Sequence, residues 1–201
     1  MNQFLRIGAF VLHPLLMPLL GAIVYYIITP RFIDSGIIRA KLFAIAIITL
    51  FVPLVLFLLL KNLRLIKTME LSNVNERKIP LMLQCLLVLL VIKAVYSPYD
   101  SPEMYFFFVG ILFSSIAALI LVIFKVKVSL HQMGIAGVTM FVIALSVHFK
   151  VNMLFWIGLF LVGNGWVASS RLSTQSHTYP ELIIGFFIGL IPQLLMLNFW
   201  L

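Results

Sequence analysis

Residues 104–124 read MYFFFVGILFSSIAALILVIF, an apolar run that contains no charged side chain. A membrane-spanning helix needs about 17–25 predominantly apolar residues, so this run is long enough to cross a bilayer. Similar runs recur along the chain of 201 residues, of which 63% are hydrophobic and 10% are charged. That composition excludes a soluble globular domain. It predicts an all-α, polytopic transmembrane helical bundle.

We predict about six to seven spans in a single integral membrane domain. The domain covers residues 1–201, and its predicted spans are 4–28, 40–60, 80–97, 104–124, 132–149, 151–168 and 181–200. Proline removes a helix hydrogen bond, so kinks are expected at Pro14, Pro18 and Pro53. Gly185 and Gly189 form a GxxxG pattern, which allows close packing between membrane helices. The first run is too long for the core of a cleaved signal peptide, and we expect it to be a span.

The spans, alternated across the bilayer, sort the loops onto two faces. The first face carries the N-terminus and the loops near 61–80, 125–131 and 169–181. The opposite face carries the C-terminus and the loops near 29–40, 97–103 and 150. The most polar clusters all fall on the first face, at 75–80, 127–131 and 170–181. We therefore expect three polar loops to meet in one site at a membrane interface.

The four histidines divide between this site and the rest of the chain. His131 and His177 lie at span ends on the shared face. Each fits an interfacial anchor when taken singly, but together, beside cationic and hydroxyl side chains, they favour a site. His148 lies about 25 Å from His131 at 1.5 Å per helical residue, which excludes it from that site. His13 precedes Pro14, and the sequence favours a role in helix packing or kinking.

The acidic residues argue against a metal-dependent reaction. Asp34 and Asp100 are the only aspartates, and both fall on the opposite face. Two-metal phosphoryl transfer needs several convergent carboxylates, and the His/Cys spacing of a zinc site is missing. The single Cys85 lies in an apolar run, so no disulfide framework is expected. We predict that the protein uses no cofactor and no metal, which leaves a phosphate site built from His and Arg.

Such a site has a simple chemical logic. A planar guanidinium binds two phosphate oxygens at once. A neutral histidine can attack phosphorus when its other ring nitrogen donates to a carboxylate. A second histidine can protonate the leaving alkoxide.

At these residues the chain resembles the type 2 phosphatidic acid phosphatase family, the lipid phosphate phosphatases. The third motif of that family, Ser-Arg-x5-His-x3-Asp, is matched by Ser170, Arg171 and His177, with Glu181 in place of the aspartate. The second motif, Pro-Ser-Gly-His, corresponds to Val-Ser-Leu-His at 128–131. The chain is also similar to a shorter, divergent branch of the family, of about this length, in Bacteroidetes-type bacteria.

The first motif, Lys-x6-Arg-Pro, matches least well. Arg77 is present, but Pro80 follows it by three residues and Glu70 stands where the family has lysine. Lys67 or Lys78 is a candidate to replace that lysine.

The resemblance implies a role for each matching position. His177 would form a phosphohistidine, Glu181 would orient His177, and His131 would be the general acid. The phosphate oxygens would be held by Arg77, Arg171, Ser129 and Lys78. The implied reaction is a metal-independent hydrolysis of a lipid phosphate or pyrophosphate monoester at the membrane interface.

Two other functions stay open at this stage. One is a catalytically degenerate family member that acts as a membrane scaffold or as a subunit of a larger complex, with a protein partner. The other is a small transporter or channel, for which Lys93, His13 and His148 are the intramembrane polar candidates. The expected partners are a lipid phosphate substrate and membrane lipids. The basic residues are scattered over loop edges, so nucleic acid is not expected despite a net charge of +8.

We expect a multi-pass protein of the bacterial inner (cytoplasmic) membrane. Nine Lys and Arg residues lie on the site face and five on the other, which by the positive-inside rule favours a cytoplasmic site. Arg77, Lys78 and Arg171 are explained equally well by phosphate, and without them the balance is six against five. The family resemblance implies a periplasmic site face, and we adopt that orientation as the prediction.

Overall fold

The computed structural model describes residues 3–66 and 73–201, which form nine α-helices and no strand. The helices are α1 (Gln3–Val11), α2 (Met17–Ile28), α3 (Ser35–Ala46), α4 (Val52–Asn62), α5 (Lys78–Ala94), α6 (Pro102–Ile123), α7 (Leu130–Phe149), α8 (Leu154–Ser173) and α9 (Tyr179–Met196). The all-α prediction is confirmed.

Four helical segments of the described chain are long and apolar enough to cross a bilayer. They are Ser35–Asn62, Pro102–Ile123, Leu130–Phe149 and Tyr179–Phe199. A shorter apolar segment covers Pro14–Ile28. The protein is therefore a helical membrane protein, as its composition predicts.

The first predicted span, 4–28, is two helices rather than one. The backbone of His13 is extended, because the ring of a following proline disfavours the helical conformation. A short 3-10 turn, Pro14–Leu16, then leads directly into α2. The Nδ1 atom of His13 caps this turn by accepting the N–H of Leu15 at 3.3 Å. The break places His13 at the junction of α1 and α2.

The second predicted span also contains an irregularity. Helices α3 and α4 are continuous through a π-helical turn, Ile47–Phe51, just before Pro53. Proline has no N–H to donate to the preceding turn, and a π turn is one way in which a helix accommodates that loss. The hydroxyl of Thr49 donates to the carbonyl of Ile45 at 2.9 Å within this irregular segment.

Helix α9 packs directly against the backbone of α7, and the GxxxG glycines are the reason. A Cβ atom at Gly185 would lie 2.7 Å from the carbonyl oxygen of Ser129. A Cβ atom at Gly189 would clash with the carbonyl of Met133. The N–H of Ser129 also donates to the carbonyl of Glu181 at 3.1 Å. The start of α7 is thereby held beside the start of α9.

At the opposite end of the bundle lies a buried carboxylate that the sequence analysis did not identify. Glu103 is fully buried at the start of α6. Arg31 donates to both of its carboxylate oxygens, at 2.6 and 3.1 Å, and the Nε2 atom of His148 lies 3.1 Å from Oε1. These contacts join the segment after α2, the start of α6 and the end of α7. His148 therefore pairs with Glu103 at the end of α7, far from the start of that helix.

The α7–α9 contact predicts a clear difference between two glycine substitutions. We expect Gly189→Ala to lower the free energy of unfolding by about 1–3 kcal/mol, since the added methyl meets backbone that cannot rotate away. Gly165→Ala is the matched control, because nothing lies within 4 Å of a Cβ atom there. Thermal unfolding of both variants in detergent measures the difference. Equal stability of the two variants would contradict the close backbone packing.

Candidate functional site

A cavity of about 1150 Å³ lies among the helices, and its wall combines cationic, imidazole and apolar side chains. This volume is in the range of sites for small organic ligands or larger. The charged and imidazole side chains of the wall are His13, Arg77, Lys127, His131, Arg171 and His177. The apolar part of the wall includes Met17, Leu54, Leu81, Phe107, Ile111 and Val138. A ligand with a polar head and an apolar body suits such a wall.

The structure brings the three predicted polar loops to this cavity. Arg77 comes from the turn before α5, His131 from the start of α7, and Arg171 and His177 from the end of α8 and the loop after it. Among the predicted phosphate ligands, Arg77 and Arg171 are part of the wall, whereas Lys78 and Ser129 are not. The converging residues belong to segments that are about 50 residues apart in sequence.

His177 and Glu181 form a short ionic hydrogen bond. Nδ1 of His177 lies 2.6 Å from the carboxylate oxygen Oε2 of Glu181, and the His177 side chain is 6% exposed. The four-residue spacing crosses the start of α9, whose first turn contains Glu181. A carboxylate accepts hydrogen bonds, so the Nδ1 atom of His177 carries the proton. The lone pair of His177 is then on Nε2, at the far side of the ring from Glu181.

Burial lowers the pKa of His177 to about 4. The hydrogen bond that His177 donates to Glu181 opposes this change, whereas the positive charges of Arg77 and Lys127 add to it. At neutral pH the imidazole is therefore uncharged, which is the form that can act as a nucleophile.

The loop that carries His177 is tied to the end of α8. The hydroxyl of Thr174 donates to the carbonyl of Ser170 at 2.9 Å and lies 2.8 Å from the hydroxyl of Ser176. The N–H of His177 reaches the carbonyl of Arg171 at 3.4 Å. These bonds fix His177 relative to Arg171, although the two lie in different elements.

Arg77 is buried, with a side chain that crosses to a neighbouring loop. It is 3% exposed, and its Nη1 atom donates to the carbonyl of Val128 at 2.6 Å. Burial lowers the pKa of Arg77 and the nearby Glu181 raises it, and the guanidinium stays charged at neutral pH. Arg77 therefore places a permanent positive charge at the cavity.

Lys127 is a site residue that the sequence analysis did not assign. Its ammonium donates to the carbonyl of Ser176 at 2.7 Å, and the residue is part of the cavity wall. The predicted Lys78 follows Arg77 directly along the chain but is not part of the cavity wall. Lys67 and Glu70, the other candidates of the first motif, lie outside the described residues.

Ser129 forms hydrogen bonds with backbone groups and is not part of the cavity wall. It is fully buried, and its hydroxyl caps α7 by accepting the N–H of Gln132 at 3.3 Å. Since Ser129 also donates its N–H to the carbonyl of Glu181, it fixes the start of α7 beside the His177–Glu181 pair. Leu130, at the position where the resemblance has glycine, is part of the cavity wall.

His13 reaches the site through the break before α2. Its ring contacts the ring of His131 edge to face, with centroids 5.0 Å apart and planes at 84°. The sequence favours a role for His13 in helix packing or kinking, whereas the structure places its side chain on the cavity wall. The available signal was the His-Pro pair, because an extended residue before proline can turn its side chain out of the helix.

The charges of the wall favour an anion. Arg77, Lys127 and Arg171 are cationic, and Glu181 is the carboxylate that pairs with His177. Within residues 3–66 and 73–201, no group of three or more His, Cys, Asp or Glu side chains could hold a metal ion. The arrangement can bind a tetrahedral oxyanion such as phosphate beside an uncharged imidazole.

No family model, curated protein or solved structure matches this chain. The family resemblance of the three motifs therefore stays a prediction, and function is argued from the geometry of the site.

The low pKa of His177 can be measured directly. With isotope-labelled histidine, we expect the His177 ring signal to stay in its neutral form down to about pH 5, where an ordinary histidine of pKa about 6.5 is protonated. His177→Gln identifies the signal. The same shift makes the folded protein less stable as the pH falls from about 6.5 to about 4, because the unfolded chain binds the proton first. A His177 signal that titrates near pH 6.5 would contradict the buried pairing.

Proposed function

We propose that the protein is a membrane phosphatase that hydrolyses a lipid phosphate or pyrophosphate monoester through a phosphohistidine intermediate, independently of metal. The observation that carries the proposal is the 2.6 Å bond from His177, on the cavity wall, to Glu181 behind it. The same wall contains His131 and three cationic side chains. An uncharged, oriented imidazole beside a cluster of cations suits attack on a phosphoryl group.

The first step would transfer the phosphoryl group to the protein. The Nε2 lone pair of His177 attacks phosphorus, and the bond between phosphorus and the leaving oxygen breaks. His131 donates a proton to that oxygen, so the product leaves as a neutral alcohol or as a protonated phosphate. Glu181 stabilises the positive charge that develops on the His177 ring.

The second step would return the protein to its starting state. Water attacks the phosphohistidine, and His131, which lost its proton in the first step, accepts a proton from that water. The bond between phosphorus and Nε2 of His177 breaks, and inorganic phosphate leaves. Between the two steps His131 changes from general acid to general base, and His177 changes from nucleophile to leaving group.

The cations would stabilise charge on the phosphoryl oxygens during both steps. Arg77 and Arg171 offer planar forks of N–H donors, and Lys127 offers a compact ammonium. Since Arg77 and Lys127 are already bonded to carbonyls at 2.6 and 2.7 Å, their charges are held in place before a substrate binds.

The apolar depth of the cavity supports a lipid as the substrate. Gln193 is part of the same wall as His177. It follows Glu181 by twelve helical residues, which corresponds to a depth of about 18 Å. The wall between these levels includes Leu81, Ile111 and Val138. A hydrocarbon chain attached to the phosphate would be buried there, inside the bundle.

The membrane and the orientation belong to the same proposal. We place the protein in the bacterial inner (cytoplasmic) membrane with the site facing the periplasm, in line with the family resemblance. The nearly equal number of basic residues on the two faces, once phosphate ligands are set aside, is compatible with that orientation.

An inactive lipid-phosphate-binding scaffold is the second candidate. The observation that favours it is the side chain of Leu130 on the cavity wall, where the resemblance has a glycine. A side chain at this position occupies space that a phosphate could otherwise use next to the backbone. Such a protein would bind the substrate and a partner without turnover.

Phosphate release by the purified protein tests the proposal. The substrates are phosphatidate, phosphatidylglycerophosphate and undecaprenyl pyrophosphate in detergent with a metal chelator present. We expect release by the wild-type protein and a loss of at least about a thousandfold in His177→Ala, because the nucleophile is removed.

The matched control is His148→Gln, which changes a histidine at the other end of α7 and keeps an N–H donor for Glu103. It should keep most of the activity. Equal activity of His177→Ala and wild type would contradict the proposal. Binding of vanadate, a phosphate analogue, with no release from any substrate would support the scaffold instead.

A further inference from the structure

His13 lies beside the proposed catalytic histidines but takes no part in the proposed reaction. It lies between α1 and α2, outside the three polar loops, and its side chain is on the cavity wall with His131 and Arg171. The break in the helix before Pro14 does not require the side chain of His13 to face this wall. Its two ring nitrogens and its neighbour indicate what it does.

The Nδ1 atom of His13 is committed to the backbone. It accepts the N–H of Leu15 at 3.3 Å and caps the Pro14–Leu16 turn. A proton on Nδ1 would set two N–H groups against each other and remove that cap. His13 is therefore the neutral tautomer that carries its hydrogen on Nε2.

The ring of His13 is also in contact with the ring of His131. The centroids are 5.0 Å apart and the planes are nearly perpendicular, at 84°. This edge-to-face arrangement is one that aromatic rings prefer, so it restricts rotation of the His131 ring. Two imidazoles at this distance resist carrying a charge at the same time.

We infer that His13 is a positioning residue for His131: it fixes the His131 ring at the cavity and, being held neutral by its cap, leaves His131 as the ring of the pair that takes up and gives the proton. The inference rests on the proposed phosphatase reaction, in which His131 protonates the leaving oxygen. It adds the junction of α1 and α2 to a site otherwise formed by the segments around α5, α7, α8 and α9.

The leaving group provides a test that a purely structural role would not pass. Departure of an alkoxide needs a proton from a general acid, whereas a nitrophenolate leaves without one. We compare kcat/KM for hexadecyl phosphate and for 4-nitrophenyl phosphate, because kcat/KM includes the step in which the leaving group departs. His13→Asn removes the ring but keeps an oxygen that can cap the turn.

We expect His13→Asn to lose on the order of tenfold to a hundredfold in kcat/KM for hexadecyl phosphate, part of what a general acid contributes, and less than about threefold for the nitrophenyl ester. His131→Ala should show the same selectivity with a larger loss. Adding His13→Asn to His131→Ala should then cause no further loss. His13→Ser, which also keeps a capping oxygen, provides the same comparison if the Asn variant does not fold.

Four results would overturn the inference. Equal losses with both substrates would mean that His13 supports only the shape of the site, and no loss with either would mean that it has no role. A further loss in the double variant would mean that it does not act through His131. If the wild-type protein hydrolyses neither ester, the proposed function fails and the inference fails with it. An active wild type with unselective His13 variants overturns the inference alone.

Discussion

The direct backbone contact between α7 and α9 is the constraint on which the site depends. Gly185 and Gly189 bring the two helices together, and the bond from the N–H of Ser129 to the carbonyl of Glu181 aligns their first turns. His131 lies in the first turn of α7, and the His177–Glu181 pair lies at the start of α9. A larger residue at either glycine would separate the proposed acid from the proposed nucleophile as well as weaken the packing.

The protonation of His177 depends on the balance of charge around its buried side chain. Burial and the nearby cations disfavour a proton on His177, and the bond to Glu181 only partly offsets them. The same cations are useful to a phosphate, which would bring negative charge to the cavity. Proton affinity and anion binding are therefore linked: a bound phosphate would partly neutralise the charge of Arg77 and Lys127. This link would let a ring that is neutral before a substrate binds bear the charge of the proposed phosphohistidine.

The part of the site that is local in sequence could be predicted from the sequence. His177 lies in the loop directly before α9 and Glu181 lies in the first turn of that helix, so their contact is local in sequence. The all-α membrane fold follows from the length of the apolar runs. The alternation of spans indicated which polar loops share a face, because only the order of the spans matters for that inference.

The contacts that were missed depend on packing between distant segments. His13 reaches His131 only because the chain breaks before Pro14, and the run 4–28 contains no signal for the direction of that break. Lys127 faces the cavity and Lys78 does not, which depends on the rotation of a loop and of α5 about their axes. Glu103 is surrounded by partners from two other segments, and none of them is near it in sequence.

Rapid trapping of the phosphorylated protein decides whether His177 carries the phosphoryl group in the proposed reaction. The protein is mixed with a lipid substrate that carries a radiolabelled phosphate, denatured rapidly in alkali and digested. We expect a label that survives alkali, is lost in acid and maps to the peptide that contains His177. A label on another residue, or phosphate release with no labelled protein at any time after mixing, would contradict it.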